Sequence, residues 1–305
     1  MRILVTGATG LIGSEIVKLC HEKGFDVHYL TTNKNKIVDR ENFKGFYWNP
    51  ESGEIDKNCF KGVKGIINLA GASIAKRWTK KYKEEIINSR IKSTRLLNNS
   101  LRDDPSNTVE SFVSASAIGI YPSSLTNYYD VETSEADPSF IGDVVTEWEE
   151  VIDELNSEKL SLAKIRIGIV LATGGGALPQ IMKPVKYGLG AAFGNGLQWQ
   201  SWIHIKDLAA MFLYVLENKM NGVYNGVAPN PVTNSKLTKE VASVLRRPLV
   251  LPNIPERVMK LVLGEMSYIL FSSQRVSSKR IENLGFHFIY PSISKALKDL
   301  LVDKK

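Results

Sequence analysis

Glycines 7, 10 and 13 follow directly on the apolar run Ile3–Thr6, and a helical pattern over Leu11–Glu22 begins among them. The order strand, glycine turn, helix is what a nucleotide pyrophosphate requires. Gly7 accepts a tight turn without a Cβ penalty, Gly10 lets the backbone approach the phosphates, and Gly13 lets the helix pack close to the strand. The helix then aims its free N–H groups and positive dipole end at the anion. GxxGxxG is a looser spacing than GxGxxG, and a tight turn with no ligand is the alternative.

The next strand selects the nucleotide. Dinucleotide folds commonly carry an acid about 20 residues past the glycines, where it binds the adenosine ribose hydroxyls of NAD. Here residues 29–36 read YLTTNKNK, without Asp or Glu, and Asp26 lies at the other end of that strand. Thr32, Asn33, Lys34 and Lys36 suit a 2′-phosphate, whose charge would repel a carboxylate. The segment therefore predicts NADP rather than NAD; the alternative is that the lysines are ordinary surface charges.

These groups need a scaffold. Apolar strands are expected at Arg2–Thr6, Val27–Thr31, Gly65–Leu69, Ser111–Ser114 and Leu162–Val170, with helices at Leu11–Glu22, Lys81–Leu101 and Asp143–Asn156. Repeated strand–helix units imply the α/β class, a doubly wound parallel sheet with helices on both faces. From about Gly174 glycine and proline become frequent, and helical runs are expected at Asp207–Leu216, Asn234–Leu245 and Ile254–Leu263. This predicts a cofactor domain over 1–172 and a smaller substrate lobe over 173–305, interleaved with the last sheet strands.

Composition narrows the function classes. The chain has 305 residues, 43% hydrophobic and 23% charged, and a net charge of +7. Its basic residues are scattered among acids, and Lys76, Arg77, Lys80, Lys81 and Lys83 run straight into Glu84 and Glu85, so no nucleic-acid groove is expected. Cys20 and Cys59 lack metal-ligand spacing, no metal site is expected, and Cys20 is predicted to face the core. No apolar run approaches the roughly 18 residues of a membrane span, and the first strand starts at once. The expectation is a cytoplasmic protein that acts on a small molecule and not on a membrane.

GATGLIG, NLAG (Asn68–Gly71) and SASAIGIY (Ser114–Tyr121) resemble the extended short-chain dehydrogenases. KRWT (Lys76–Thr79), SRIKSTRLL (Ser89–Leu97), RIGIVLATGGG (Arg166–Gly176), SWIHIKDLA (Ser201–Ala209), GEMS (Gly264–Ser267) and GFHFIYP (Gly285–Pro291) are similar to its atypical "epimerase family" branch. The resemblance spans essentially the whole chain. It implies a Rossmann-type sheet with a small C-terminal α/β lobe and NADP binding, but no known substrate. It places Gly7, Thr9, Gly10, Leu11 and Ile12 around the pyrophosphate, and Thr32 where relatives often carry an arginine, leaving the 2′-phosphate to Lys34 or a neighbour. Leu69, Ala70 and Gly71 should pass beside the adenosine ribose and the nicotinamide side, and Ser114–Ser116 should face the nicotinamide. Arg90 could reach the cofactor phosphates or an acidic substrate, or be a surface helix residue.

Most active members of that superfamily use Tyr-x-x-x-Lys, whose lysine lowers the tyrosine pKa for proton exchange during hydride transfer. None of the 11 tyrosines here has Lys four residues later; the slots fall near Ile141 and Val145. General acid–base catalysis is typically worth about 10²–10⁴ in rate. Ser116, Tyr121 and Asp143 are the candidate substitutes. Lys76, Arg77, Trp78, Trp199, Trp202 and His204 are candidate substrate contacts, with core packing or a His204–Asp207 pair as the structural alternatives. Two functions follow: an NADP-dependent oxidoreductase or epimerase on a small hydroxy or keto metabolite, or a non-catalytic NADP(H) sensor. The helices Lys81–Leu101 and Asp143–Asn156 could form a homodimer interface.

Overall fold

The computed structural model describes residues 1–104, 106–155 and 157–302. Its first strand, β1 (Arg2–Thr6), is buried from Ile3 onward, because it carries apolar side chains on both faces and lies mid-sheet. Around it stand β2 (Asp26–Thr31), β3 (Phe43–Asn49), β4 (Gly65–Asn68), β5 (Ser111–Ala117), β6 (Ser161–Ile167) and, further along the chain, β9 (Gly222–Gly226). The spatial order is β9-β6-β5-β4-β1-β2-β3, all parallel, with two-residue antiparallel strands added at the β3 edge. The chain runs outward from β1 to β3, then crosses back to β4 on the other side of β1. That reversal opens a crevice at the carboxyl ends of β1 and β4, where sheets of this kind bind ligands.

Alternate strand residues divide between two faces. Ile3, Val5, Val27, Ile67 and Val113 share a core with α1 (Leu11–Glu22) and α5 (Ile205–Glu217). Leu4, Leu30, Ile66 and Phe112 pack with Leu97 and Leu101 of α2 (Lys80–Arg102). On that second face α3 (Phe140–Asp153) joins α2. α3 starts before the predicted Asp143, because Ser139 caps it by accepting the Gly142 N–H. Its predicted end, Asn156, lies outside the described residues. Cys20 is buried on α1 as expected.

The sequence pattern missed β3. Lys44, Gly45 and Asn49 interrupt its apolar run, and Gly45 is needed because a Cβ there would stand 2.5 Å from the Tyr29 ring. The predicted strand Leu162–Val170 is instead two strands. Gly168 still donates to Gly226 O, but Ile169 donates to Ser201 O, so β7 (Ile169–Leu171) leaves the main sheet and pairs with β8 (Trp202–His204). A Cβ on Gly168 would meet Ser201 O at 2.4 Å, so only glycine allows this change of partner.

A second core lies under α4 (Ala177–Lys186), α6 (Asn234–Val244) and α8 (Ile293–Leu301), where Leu178, Trp202, Leu237, Val241, Ile293 and Leu297 pack together. The helix α7 (Glu256–Leu263) precedes the segment that returns to the sheet. That return is fastened at the start of α5. Buried Asp207 accepts the Ile289 and Tyr290 N–H groups at 2.8 and 2.9 Å. His204 stacks on Tyr290 at 3.9 Å, accepts the Lys206 N–H at Nδ1, and donates from Nε2 to Asp299. Among the described residues no helix is long and apolar enough to cross a membrane.

Burial, against the pull of Asp299, lowers the His204 pKa from 6.5 to about 4. The unfolded chain therefore gains a proton between pH 6.5 and 4 that the folded chain refuses, and stability falls over that window by up to about 3 kcal/mol. His204→Gln keeps both hydrogen-bonding directions without titrating. Its urea midpoint is expected to decline less than that of the parent between pH 7 and 4.5; parallel profiles would contradict this account.

Candidate functional site

At the end of β1 the chain turns through Gly7, whose φ of +66° is the left-handed region that favours glycine. A Cβ there would also stand 3.1 Å from Leu69 O, so the turn after β1 and the loop after β4 touch. Gly13 lies against that turn, where a Cβ would come within 2.2 Å of Gly7 O. α1 begins at Leu11 behind Gly10, with no side-chain cap and no acid in its first turn. Its positive end therefore faces the crevice without a built-in counter-charge. Thr9 and Gly10 are exposed, Leu11 and Ile12 half-buried. The Leu11 side chain approaches the glycines after β7, 3.3 Å from where a Gly176 Cβ would lie.

Below the turn lies a buried polar layer. Thr6 Oγ1 donates to Asn68 Oδ1 at 2.8 Å and accepts the N–H groups of Leu69 and Ala70 at 2.8 and 3.0 Å. Asn68 Nδ2 donates to Thr94 Oγ1 on α2 and Ser114 Oγ on β5, and Trp148 Nε1 of α3 also reaches Thr94. Ser114 is therefore removed from the crevice, bonded to Asn68, which orients Thr6, which in turn holds the backbone of Leu69 and Ala70.

Arg90 of α2 closes the loop from the side. A Cβ on Gly71 would lie 3.1 Å from its Cζ, and the guanidinium sits 5.2 Å from the Trp148 ring centre. Its one hydrogen bond runs from Nη1 to Ile86 O, and no carboxylate pairs with it among the described residues. Burial lowers its pKa to about 10, so it keeps its charge at neutral pH. A half-buried guanidinium with spare donors suits an anion.

At the β2 end Thr32, Asn33, Lys34 and Lys36 are all exposed. Asn33 Oδ1 accepts the Asn35 N–H, forming a tight turn, and Lys34 Nζ lies 4.5 Å from the Tyr47 ring. Neither Lys34 nor Lys36 has an ion-pair partner among the described residues.

Two of the candidate proton-transfer groups, Ser116 and Tyr121, belong to one buried network, and Asp143 lies outside it. Ser116 Oγ donates to buried Glu149 at 2.5 Å, and Arg166 grips Glu149 with two bonds of 2.8 and 2.9 Å. Tyr121 is fully buried, donates to Asn225 and accepts from Arg166, and burial raises its pKa. These two hydroxyls serve a closed network. Asp143 points outward on the first turn of α3. Ile141 and Val145 are buried in an apolar cluster with Trp78 and Ile86.

Lys76 and Arg77 are exposed, whereas Trp78 packs edge-on against Phe140 at 5.2 Å. Trp202 and His204 are fully buried, and His204 pairs with Asp299 where Asp207 was considered. Trp199 is half-buried. Thr6, Asn68, Thr94, Trp148, Glu149 and Arg166 escaped the sequence reading. For Thr6, Asn68 and Arg166 the signal was a polar residue near the end of an apolar strand, whereas Thr94, Trp148 and Glu149 lie on α2 and α3 and left no such pattern.

Burial pushes the Glu149 carboxyl up, but the bonds from Arg166 outweigh it and hold Glu149 below its ordinary range. Glu149→Ala strands a buried guanidinium and is expected to cost about 3–5 kcal/mol in denaturant unfolding. The double variant Glu149→Leu with Arg166→Met should recover most of that loss; equal losses would refute a pairwise role.

A model of the NAD dependent epimerase/dehydratase family matches residues 3–140, and a domain of unknown function (DUF1731) matches 254–300. The Arabidopsis thaliana chloroplastic homolog of epimerase family protein SDR39U1 is 36% identical, over 99% of this chain and 87% of its own. Epimerase family protein YfhF of Bacillus subtilis (strain 168) is 33% identical, over 100% and 99%. The crystal structure of human epimerase family protein SDR39U1 (isoform2) with NADPH superimposes with a TM-score of 0.88 at 30% identity, covering 98% of this chain and 99% of that one. With the glycine turn, the reversed strand order and near full-length likeness agreeing, this chain belongs to the SDR39U1-like epimerase family.

Proposed function

We propose that the protein binds NADP(H) along the crevice between the β1 turn and the Leu69–Gly71 loop, acting as an oxidoreductase or epimerase on a small hydroxy- or keto-bearing metabolite. The observation that carries this reading is Arg90, a half-buried cation with no counter-ion among the described residues, beside a glycine-walled crevice. When bound, the cofactor supplies or accepts hydride. Gly7, Gly10 and the first turn of α1 hold its pyrophosphate, with Thr9, Leu11 and Ile12 alongside. Lys34, with Thr32 beside it, faces the 2′-phosphate; the human relative's structure with NADPH supports the same choice.

Arg90, charged at neutral pH, stabilises negative charge on phosphate or on a substrate oxygen; it does not shuttle protons. The reaction therefore proceeds with electrostatic help and without the Tyr–Lys pair, the proton that accompanies hydride transfer being exchanged between the substrate oxygen and solvent water. A second reading, an NADP(H) sensor, is favoured by Ile141 and Val145, apolar residues at both slots of that pair. A partner captured equally well with NADPH, NADP⁺ or no cofactor would remove it.

Fluorescence titration of cofactor-stripped protein is expected to give NADPH binding about ten-fold or more tighter than NADH. Lys34→Glu should erase that preference while leaving NADH binding in place. Arg90→Met should weaken NADPH binding with little loss of stability in the unliganded protein, since the guanidinium has no carboxylate partner among the described residues to lose. Absence of binding to either nucleotide would overturn both readings.

A further inference from the structure

Arg275 lies on the short strand Arg275–Val276, which pairs in parallel with Tyr128–Tyr129. Its guanidinium carbon sits 4.6 Å from the centre of the Trp199 ring and 5.0 Å from that of Tyr128. A planar guanidinium fits between two rings in a way that a lysine ammonium does not. The stack is held in place from both sides. Trp199 Nε1 donates to Leu125 O at 3.0 Å, and Gln274 Nε2 donates to Tyr121 O at 2.6 Å. Ser273 N–H reaches Ser123 Oγ, and Ser273 Oγ donates to Ser124 O. These bonds fasten residues 273–275 to the segment leaving the carboxyl end of β5, on the ligand-binding edge of the sheet.

What the stack lacks is an acceptor. Arg2, Arg166 and Arg280 each pair with a carboxylate. The Arg275 side chain makes no ion pair and no hydrogen bond among the described residues, and its Nε is buried without a partner. The two rings lie against the guanidinium and Nε is enclosed, which leaves the terminal Nη groups as the open donors. The arrangement reaches solvent, since Tyr128 is 46% exposed and Leu125, at its rim, 51%.

We propose that Arg275, clamped between Tyr128 and Trp199, binds an anionic group of the substrate, a phosphate or a carboxylate, with Leu125 against an adjoining apolar part. The substrate is thus an acid. This deepens the reading of the neighbouring crevice as the cofactor site and rests on it for where the reaction occurs, but not for the anion site itself.

The test is calorimetric titration of protein saturated with NADP⁺, using inorganic pyrophosphate in one arm and citrate in the other. The expected result is binding of at least one, weakened about ten-fold or more by Arg275→Met and less by Arg275→Lys, with NADP⁺ affinity unchanged. The stronger arm identifies the anion class. Binding of neither probe, or equal binding by parent and Arg275→Met, overturns the proposal. Should Arg275→Met fail to fold, Arg275→Gln replaces it under the same criteria. If NADP⁺ itself does not bind, the cofactor reading falls, and the parent-minus-variant difference measured without it still decides Arg275.

Discussion

A buried row of polar side chains across the parallel strands constrains the rest of this molecule. Thr6, Asn68, Ser114 and Lys164 stand side by side on successive strands, and Ser116, Arg166 and Asn225 form the row above. A polar group inside a sheet costs free energy unless it is bonded, so each member needs a partner at a fixed place. Thr94 of α2 and Glu149 of α3 are among those partners, which fixes how both helices lie on the sheet. Thr6 fixes the backbone of the next loop as well, through Leu69 and Ala70. The crevice inherits its shape from this layer.

The arginines divide according to what surrounds them. Arg166 is buried with Glu149, and its charge is satisfied within the fold. Arg90 and Arg275 are half-buried against aromatic rings, one ring for Arg90 and two for Arg275, without a carboxylate partner among the described residues. Pairing every cation would have been the cheaper solution. Leaving these two half-buried guanidinium groups without a carboxylate is a local conflict of the kind that functional sites retain.

Much of the scaffold was legible in the sequence, and for physical reasons. β1, α1 and α2 are long periodic segments bounded by glycine or by a capping threonine, so pattern and structure coincide. β3 was not, because its apolar run is broken by Gly45, whose reason is the Tyr29 ring packed above it. The division of the strand at Gly168 was hidden too, since RIGIV reads as one apolar stretch until its two hydrogen-bonding partners are known. For the site, the glycine turn could be read because its backbone geometry demands particular residues. Arg90 could be nominated but not distinguished from a surface residue, because burial and the absence of a counter-ion are properties of tertiary packing. Tyr128 and Arg275 are 147 residues apart in sequence, and no local pattern announces their meeting.

The fastening of α5 bears on the order in which the chain can mature during synthesis. Asp207 is fully buried at the head of the helix that covers the centre of the sheet, and its partners are the backbone groups of residues 289 and 290. Until those residues leave the ribosome, the carboxylate must stay hydrated or be buried unsatisfied, so α5 cannot settle fully onto β4 and β5. The native hydrogen bonding at the head of α5 is therefore complete only when nearly the entire chain has been made.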